Sequence, residues 1–199
     1  MNQRKAPDPA RRSQRSRQAI LGAAFDLLGE VGYRKLTIEA IAARAGVGKQ
    51  TIYRWWPSKG AVVFDAFLAL SEGAEERVAL PDTGDLEADL RLVVRATVAE
   101  LTDPRFDVPY RVLLTEFQQD PQLTEEFRER LYEPLLAATR DRFRRAQAAG
   151  QLAADLDLDA AFELLWGPIY YRWLLRTGPL TESYADTVTD LTLAALRPR

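Results

Sequence analysis

Neither cysteine nor histidine occurs in the 199 residues, and the two absences remove whole classes of chemistry. Without cysteine there is no disulfide framework of the kind exported proteins use. Without both residues a zinc site or a histidine-based triad is excluded by composition, and most familiar hydrolases go with them. No catalytic residue, no metal and no cofactor is therefore expected. Long apolar runs are missing too: none approaches the ~20 residues needed to span a bilayer. The opening MNQRKAPDPARRSQRSR lacks the apolar centre of a secretion signal. These absences predict a cytoplasmic protein with no membrane partner.

What is present is ordinary for a globular chain, 47% hydrophobic and 28% charged, long enough for one large or two small domains. The formal charge of -2 conceals an asymmetry. Through Gly60 there are twelve lysines and arginines against four acids, a formal +8, and the remainder holds fifteen against twenty-five, or -10. A basic end suits a polyanion, and the acidic remainder would repel one.

Periodicity divides the chain further. Residues 1–12, with Pro7 and Pro9 among scattered bases, show no period and read as a flexible basic arm. From Ser13, Ile20, Ala24, Leu27, Leu28 and Val31 form a stripe at helical spacing that Gly32 ends. Thr37 can cap a short helix, TIEAIAARA, closed by Gly46. A third helix, KQTIYRWW, is stopped by Pro57, and Ser58 can cap a fourth running toward Ala79. The stretch PDTGD, residues 81–85, is the clearest linker. Beyond it helical periods recur over 86–101, 110–119, 123–149, 158–176 and 181–196, separated by DPRFDVP, DPQ, AGQLAADLD and TGPL. No strand-like alternation persists. The expectation is an all-α fold: arm 1–12, a DNA-binding domain at 13–58, a connecting helix at 59–80, and a larger helical ligand-binding and dimerisation domain at 83–199.

The segment GVGKQTIYRWWPSKG, residues 46–60, explains the basic end. Two short helices joined by a glycine-containing turn form a helix-turn-helix, whose second helix enters the major groove. Val47, Ile52 and Trp56 can anchor that helix inward, leaving Lys49, Gln50, Tyr53 and Arg54 outward. Lysine and arginine pair with guanine and glutamine with adenine, while the hydroxyls of Thr37, Thr51 and Tyr53 suit phosphate. Lys59, in the first turn of the next helix, stands where free backbone amides favour an anion.

The stretch from about Ile20 to Leu70, densest in TIEAIAARAGVGKQTIYRWWPSKGAVV, resembles the tetracycline-repressor-like (TetR) family of transcription regulators. The resemblance implies an N-terminal three-helix DNA-binding domain. It puts Thr51, Tyr53, Trp55 and Lys59 at phosphate-contacting positions and Lys49 and Gln50 at base-reading ones. Trp56 replaces the usual phenylalanine and is assigned to the core. Trp55 departs from the commoner histidine or tyrosine, and its indole N–H can donate one bond to phosphate. LLWGPIYYRWLLRTGPL, residues 164–180, also looks like a TetR subgroup carrying a Gly-Pro-x-Tyr-Tyr element in its penultimate helix. Pro168 would there bend the helix, or else start a new one.

One helix-turn-helix offers little area, so such proteins dimerise to read two half-sites. Phe162, Leu165, Ile169 and Leu174, with Tyr184, Val188, Leu191, Leu193 and Leu196, exceed what one internal face needs, and the resemblance implies a homodimer through the last two helices. Phe106, Tyr110, Phe117, Phe127, Phe162, Trp166 and Tyr170 are the candidates for an apolar effector site, although aromatics at this spacing also fill cores. The expected function is a repressor that binds a palindromic double-stranded operator and is released by a small uncharged or cationic organic effector, the fourth helix carrying the coupling. A non-specific architectural DNA-binding protein is the alternative. An enzyme would have to work through carboxylates such as Glu116 and Asp120, four apart on one helix face.

Overall fold

The computed structural model of the chain describes residues 9–70 and 80–198, with side chains for 13–69 and 80–198. The described residues are helical with no strand. The chain falls into two compact units, one built from residues up to 72 with Val108–Leu123, the other from 73 onward through Asp107 with Thr124–Arg199.

The first unit opens with α1, Pro9–Lys35, interrupted at Gly32, whose φ of 73° and ψ of 163° are not helical. Gly32 thus ends the long stripe as its position suggested, and one further turn carries the chain to Leu36. Then come α2, Ile38–Ala45, and α3, Lys49–Tyr53, followed by α4, Lys59–Leu70. Their core is assembled from Ile20, Ala24, Leu27, Leu28, Leu36, Ile41, Ile52, Val62, Val63 and Phe64, all buried. α5 is Leu86–Thr102 and α6 is Pro104–Phe117. From the later turns of α6, Tyr110 stacks on Phe67 at 5.0 Å and Phe117 meets Phe64 edge-on at 5.8 Å.

The second unit resumes at Thr124, within α7, Pro121–Phe127, which runs into a π-helical segment, Arg128–Tyr132, and then into α8, Glu133–Ala148. α9, Leu158–Leu175, and α10, Glu182–Leu196, complete it. α10 packs on α5 and α9, burying Ala185, Val188, Leu193 and Leu196. Arg91 and Arg95 of α5 bridge to Asp186 of α10, the latter at 2.7 Å. Inside the unit Arg142 and Asp89, 1% and 2% exposed, pair at 2.7 Å. Thr83 adds bonds to the same carboxylate, and Arg142 also donates to the Pro81 carbonyl, so the PDTGD segment is held by a buried charge pair.

Several boundaries differ from the sequence expectation. The arm reading is corrected for residues 9–12, which are helical: proline at the first helical position loses no hydrogen bond. Residues 1–8 lie outside the described residues, as does the fourth helix beyond Leu70. α3 stops at Tyr53 instead of Trp56. DPRFDVP, expected to be a break because of its two prolines, starts α6: Asp103 accepts from the Arg105 amide at 2.9 Å, Pro104 takes the first helical position, and Pro109 sits inside at the cost of one backbone bond. The expected helix over 123–149 is interrupted by the π-helical segment. Pro168 lies within α9 and does not begin a new helix.

Candidate nucleic-acid interface

The turn between α2 and α3 follows from its glycines. Thr37 caps α2, its Oγ1 accepting from the Ala40 amide at 3.1 Å. Gly46 closes it at φ 67°, the left-handed geometry glycine adopts without strain. The Val47 amide then donates to Ala42 O at 3.0 Å, and the Gly48 carbonyl receives the Thr51 amide at 2.9 Å to begin α3. Ile52, fully buried, fixes α3 from behind. A bidentate pair between Arg44 and Glu30 ties α2 to α1.

This anchoring leaves Lys49, Gln50, Tyr53, Arg54 and Trp55 exposed and Thr51 half-buried. Seven of the eight anticipated contact residues, Thr37 through Trp55, thus share the α2–turn–α3 region. The hydroxyl of Thr37 spends one of its two lone pairs on the helix cap and keeps its proton to donate. Trp55 stacks against Trp56, ring centroids 6.0 Å apart, with the Arg54 guanidinium 5.8 Å from the Trp55 ring. Its polar edge is a donor only, suited to phosphate oxygen. Lys49 is not idle: Nζ pairs with Glu39 at 2.9 Å. The hydrogen bond from Lys49 holds the Glu39 carboxyl below its usual range, and the same bond raises the Lys49 ammonium.

Lys59, the eighth residue, opens α4. Its ammonium donates to the carbonyls of Tyr33 and Leu36 at 2.8 and 3.0 Å and lies 3.9 Å from the Tyr33 ring centroid. Two of its three N–H groups therefore close the end of α1. The Tyr33 hydroxyl donates to Glu116 at 3.0 Å. Burial first, then the Glu116 charge, push this phenol well above its ordinary range. Glu116 is thus occupied in holding Tyr33, and Asp120 accepts from the Gln122 and Leu123 amides. The two carboxylates considered for catalysis have structural partners.

Sequence reasoning missed what lies beneath the exposed face. Trp56 is buried as expected, but its Nε1 donates to Asp65 at 2.9 Å, and Arg17 of α1 reaches the same oxygen at 2.6 Å. A single acid in the apolar run GAVVFDAFLAL, nine residues after a tryptophan, was the available signal. Burying a carboxylate there demands a donor and a cation.

The seven effector candidates divide. Tyr110 and Phe117 belong to the first unit, packed on Phe67 and Phe64. Phe106, Phe127, Phe162, Trp166 and Tyr170 belong to the second. There Phe162 meets Trp166 at 6.5 Å and Tyr170 meets Trp173 at 6.0 Å. Phe106 and Phe127 are half-buried.

The family model of bacterial regulatory proteins of the tetR family matches residues 20–66, and that of the tetracyclin repressor-like C-terminal domain matches residues 80–192. An uncharacterized HTH-type transcriptional regulator of Bacillus subtilis (strain 168), YdeS, is 36% identical over 187 residues, spanning 94% of this chain and 90% of its own. The DNA-binding transcriptional repressor TetR of Mycobacteroides abscessus is 28% identical over 184 residues, 90% of this chain and 93% of its own. Among solved structures, the TetR family transcription regulator SCO0332 is 32% identical and superposes with a TM-score of 0.71, covering 92% of this chain and 99% of its own.

Proposed function

The chain belongs to the tetracycline-repressor-like family of DNA-binding transcription regulators, and on that premise we propose a homodimeric repressor that binds a palindromic operator and leaves it when a small organic effector binds. The observation that carries this reading is the division of α3 and the residue after it into a buried Ile52 and an outward row of Lys49, Gln50, Tyr53 and Arg54. In the proposal Lys49 and Gln50 read base edges. Thr37, Thr51, Tyr53, Arg54, Trp55 and Lys59 fix the register on phosphates. The domains follow the same division: DNA binding through residue 58, a connecting helix over 59–80, and effector binding and dimerisation over 83–199.

The proposed dimer rests on apolar side chains that the chain leaves exposed. On α9, Leu164, Tyr171, Leu174 and Leu175 are exposed beside Gly167, and on α10 Leu191 is exposed. Residues 164, 167, 171 and 174 recur at helical intervals, one stripe opposite the buried Phe162, Leu165, Trp166 and Ile169. Such a stripe on the last two helices suits a two-fold contact with a second copy. The first and last residues of the Gly-Pro-Ile-Tyr-Tyr element, Gly167 and Tyr171, lie in it, with Gly167 permitting close approach. Two recognition helices would then meet half-sites ~34 to 36 Å apart or a multiple of that.

The effector acts by preferring the arrangement of the dimer that DNA does not, with α4 as the covalent route between the proposed domains. Typical coupling of ~1 to 3 kcal/mol weakens binding ~5- to 150-fold. No described helix is long and apolar enough to cross a membrane, in keeping with work on cytoplasmic DNA.

Selection of bound fragments from a random duplex pool, followed by footprinting, tests the reading. A two-fold symmetric consensus protected by two copies per site is the expected result. Equal affinity for the selected site and for unselected duplex would replace the proposal with non-specific architectural binding.

A further inference from the structure

Among the described residues one buried side-chain polar atom has no hydrogen-bond partner, Nε1 of Trp166 in α9. The residue is 4% exposed. The other two buried indoles are both satisfied by carboxylates, Trp56 by Asp65 and Trp173 by Asp107 at 2.7 Å. Native structures rarely leave a buried N–H unpaired, and where one persists a bound group absent from the structure is a physical explanation.

The surroundings of this donor are aromatic. Phe162, one turn earlier on α9, lies 6.5 Å from the Trp166 ring, tilted by 58°. Tyr132 meets Phe162 edge-on at 5.8 Å. Tyr132 is the last residue of the π-helical segment Arg128–Tyr132. Such segments are rare in helices and concentrate at functional sites. An irregular turn, a chain of three rings and an orphan donor thus converge within the second unit.

The charge around Tyr132 restricts the ligand. Glu163, Glu133 and Asp159 act on its phenol against Arg140. Arg140 is itself paired with Asp159, and Arg128 with Glu133. The local balance is negative, and an anionic acceptor would enter against it.

We propose that Trp166, Phe162 and Tyr132 form the recognition end of the effector site. The effector is then an uncharged, largely apolar or aromatic molecule whose ketone, ester or ether oxygen accepts from Trp166 Nε1. This inference rests on the reading of the chain as effector-responsive.

The test uses the full-length protein with 15N-labelled tryptophan and two probes of one shape, acetophenone and α-methylstyrene, in which a methylene replaces the carbonyl oxygen. The chain has four tryptophans, so four indole N–H signals are followed, that of Trp166 being the one lost in Trp166→Phe. The ketone moves the Trp166 signal downfield and binds about tenfold more tightly than the hydrocarbon, the scale of one hydrogen bond to a buried donor. In Trp166→Phe the two probes bind alike. Equal binding of both by the natural chain overturns the proposal, as does a response at another indole or no binding of either probe at millimolar concentration. The comparison of probes on the natural chain holds even if the variant does not fold. Release of a selected operator is measured in parallel. A shifted Trp166 signal without release supports the site and removes the repressor-release reading. Release by the ketone with equal efficiency in Trp166→Phe keeps that reading and removes the site.

Discussion

The indole of Trp56 donates to Asp65 at 2.9 Å, and Arg17 holds the same carboxylate at 2.6 Å. The partnership joins α1, α4 and the end of the recognition segment through one buried oxygen. Trp56→Phe preserves most of the packing and leaves a buried carboxylate one donor short, so a loss of about 1 to 3 kcal/mol is expected. Asp65→Ala removes both the acceptor of the indole bond and the charge facing Arg17. The two residues share one bond, so the double variant should lose less than the sum of the single losses, by at least about 0.5 kcal/mol. Urea denaturation of the four proteins measures this coupling. Strict additivity would show that Trp56 is only filler.

The same pair marks the limit of what could be read without coordinates. The helix-turn-helix was legible because it is local: Gly46, Ile52 and the outward row of α3 lie within a few turns of chain. Helical spacing likewise revealed α5, α9 and α10 nearly to the residue. Asp65, Glu39 and Glu116 were illegible as partners because their roles depend on what the fold brings beside them. The start of α6 was hidden for another reason. Pro104 and Pro109 read as a break by propensity, yet an aspartate cap and a proline at the first helical position make them a helix start.

The exposed Lys49–Glu39 pair predicts an effect of unusual sign. In the proposed interface Glu39 competes with DNA for the Lys49 ammonium, so Glu39→Gln should tighten binding to every duplex, roughly two- to fivefold at low salt. The gain should shrink as salt rises. Lys49→Ala should instead change which bases are preferred at one position of each half-site. Fluorescence anisotropy with a set of single-base operator variants separates the two effects. An unchanged preference in Lys49→Ala would remove it from the base-reading role.

Lys59 closes the end of α1 and in the proposed interface also meets a phosphate, and its replacement tests both roles. Lys59→Met loses two hydrogen bonds to the carbonyls of Tyr33 and Leu36 and the cation over the Tyr33 ring. A destabilisation of about 1 to 2 kcal/mol is expected. If the third N–H meets a phosphate, affinity falls equally for all sequences and the salt slope decreases by about one. A loss of stability with an unchanged salt slope would assign Lys59 to the closure of α1 alone.

Asp89 makes the second unit sensitive to acid. Burial alone would push its carboxyl up, but hydrogen bonds from Arg142 and Thr83 outweigh burial and hold it below the usual range. The folded state therefore binds this proton less readily than the unfolded chain. The resulting stabilisation is complete above the unfolded value of about 3.9 and is lost as pH falls through the lowered folded value. Thermal melts should drop steeply below that pH. Asp89→Asn should flatten this part of the profile while costing up to about 3 kcal/mol at neutral pH, because the buried Arg142 loses its short charged partner and keeps only the longer contact to Asp82 at 3.5 Å. An unaltered acid profile in the variant would place the acid sensitivity elsewhere.

The apolar stripe on the last two helices makes the proposed dimer separable from the fold. Tyr171 and Leu191 are 60% and 67% exposed, so Tyr171→Glu or Leu191→Glu should leave the melting temperature of a monomer nearly unchanged. Burying such a glutamate in a two-fold contact would place two like charges near one another in a low dielectric, which strongly opposes association. Light scattering after size exclusion is expected to report a dimer for the natural chain and a monomer for either variant at the same concentration, with affinity for a two-half-site operator falling in step. Leu92→Glu on α5 provides the control. Leu92 is as exposed, at 63%, but stands outside the α9–α10 stripe, so its replacement should leave both mass and affinity as they were. If Leu92→Glu dissociates the dimer and Tyr171→Glu does not, the subunits meet through α5, and the exposed leucines of α9 and α10 need another explanation.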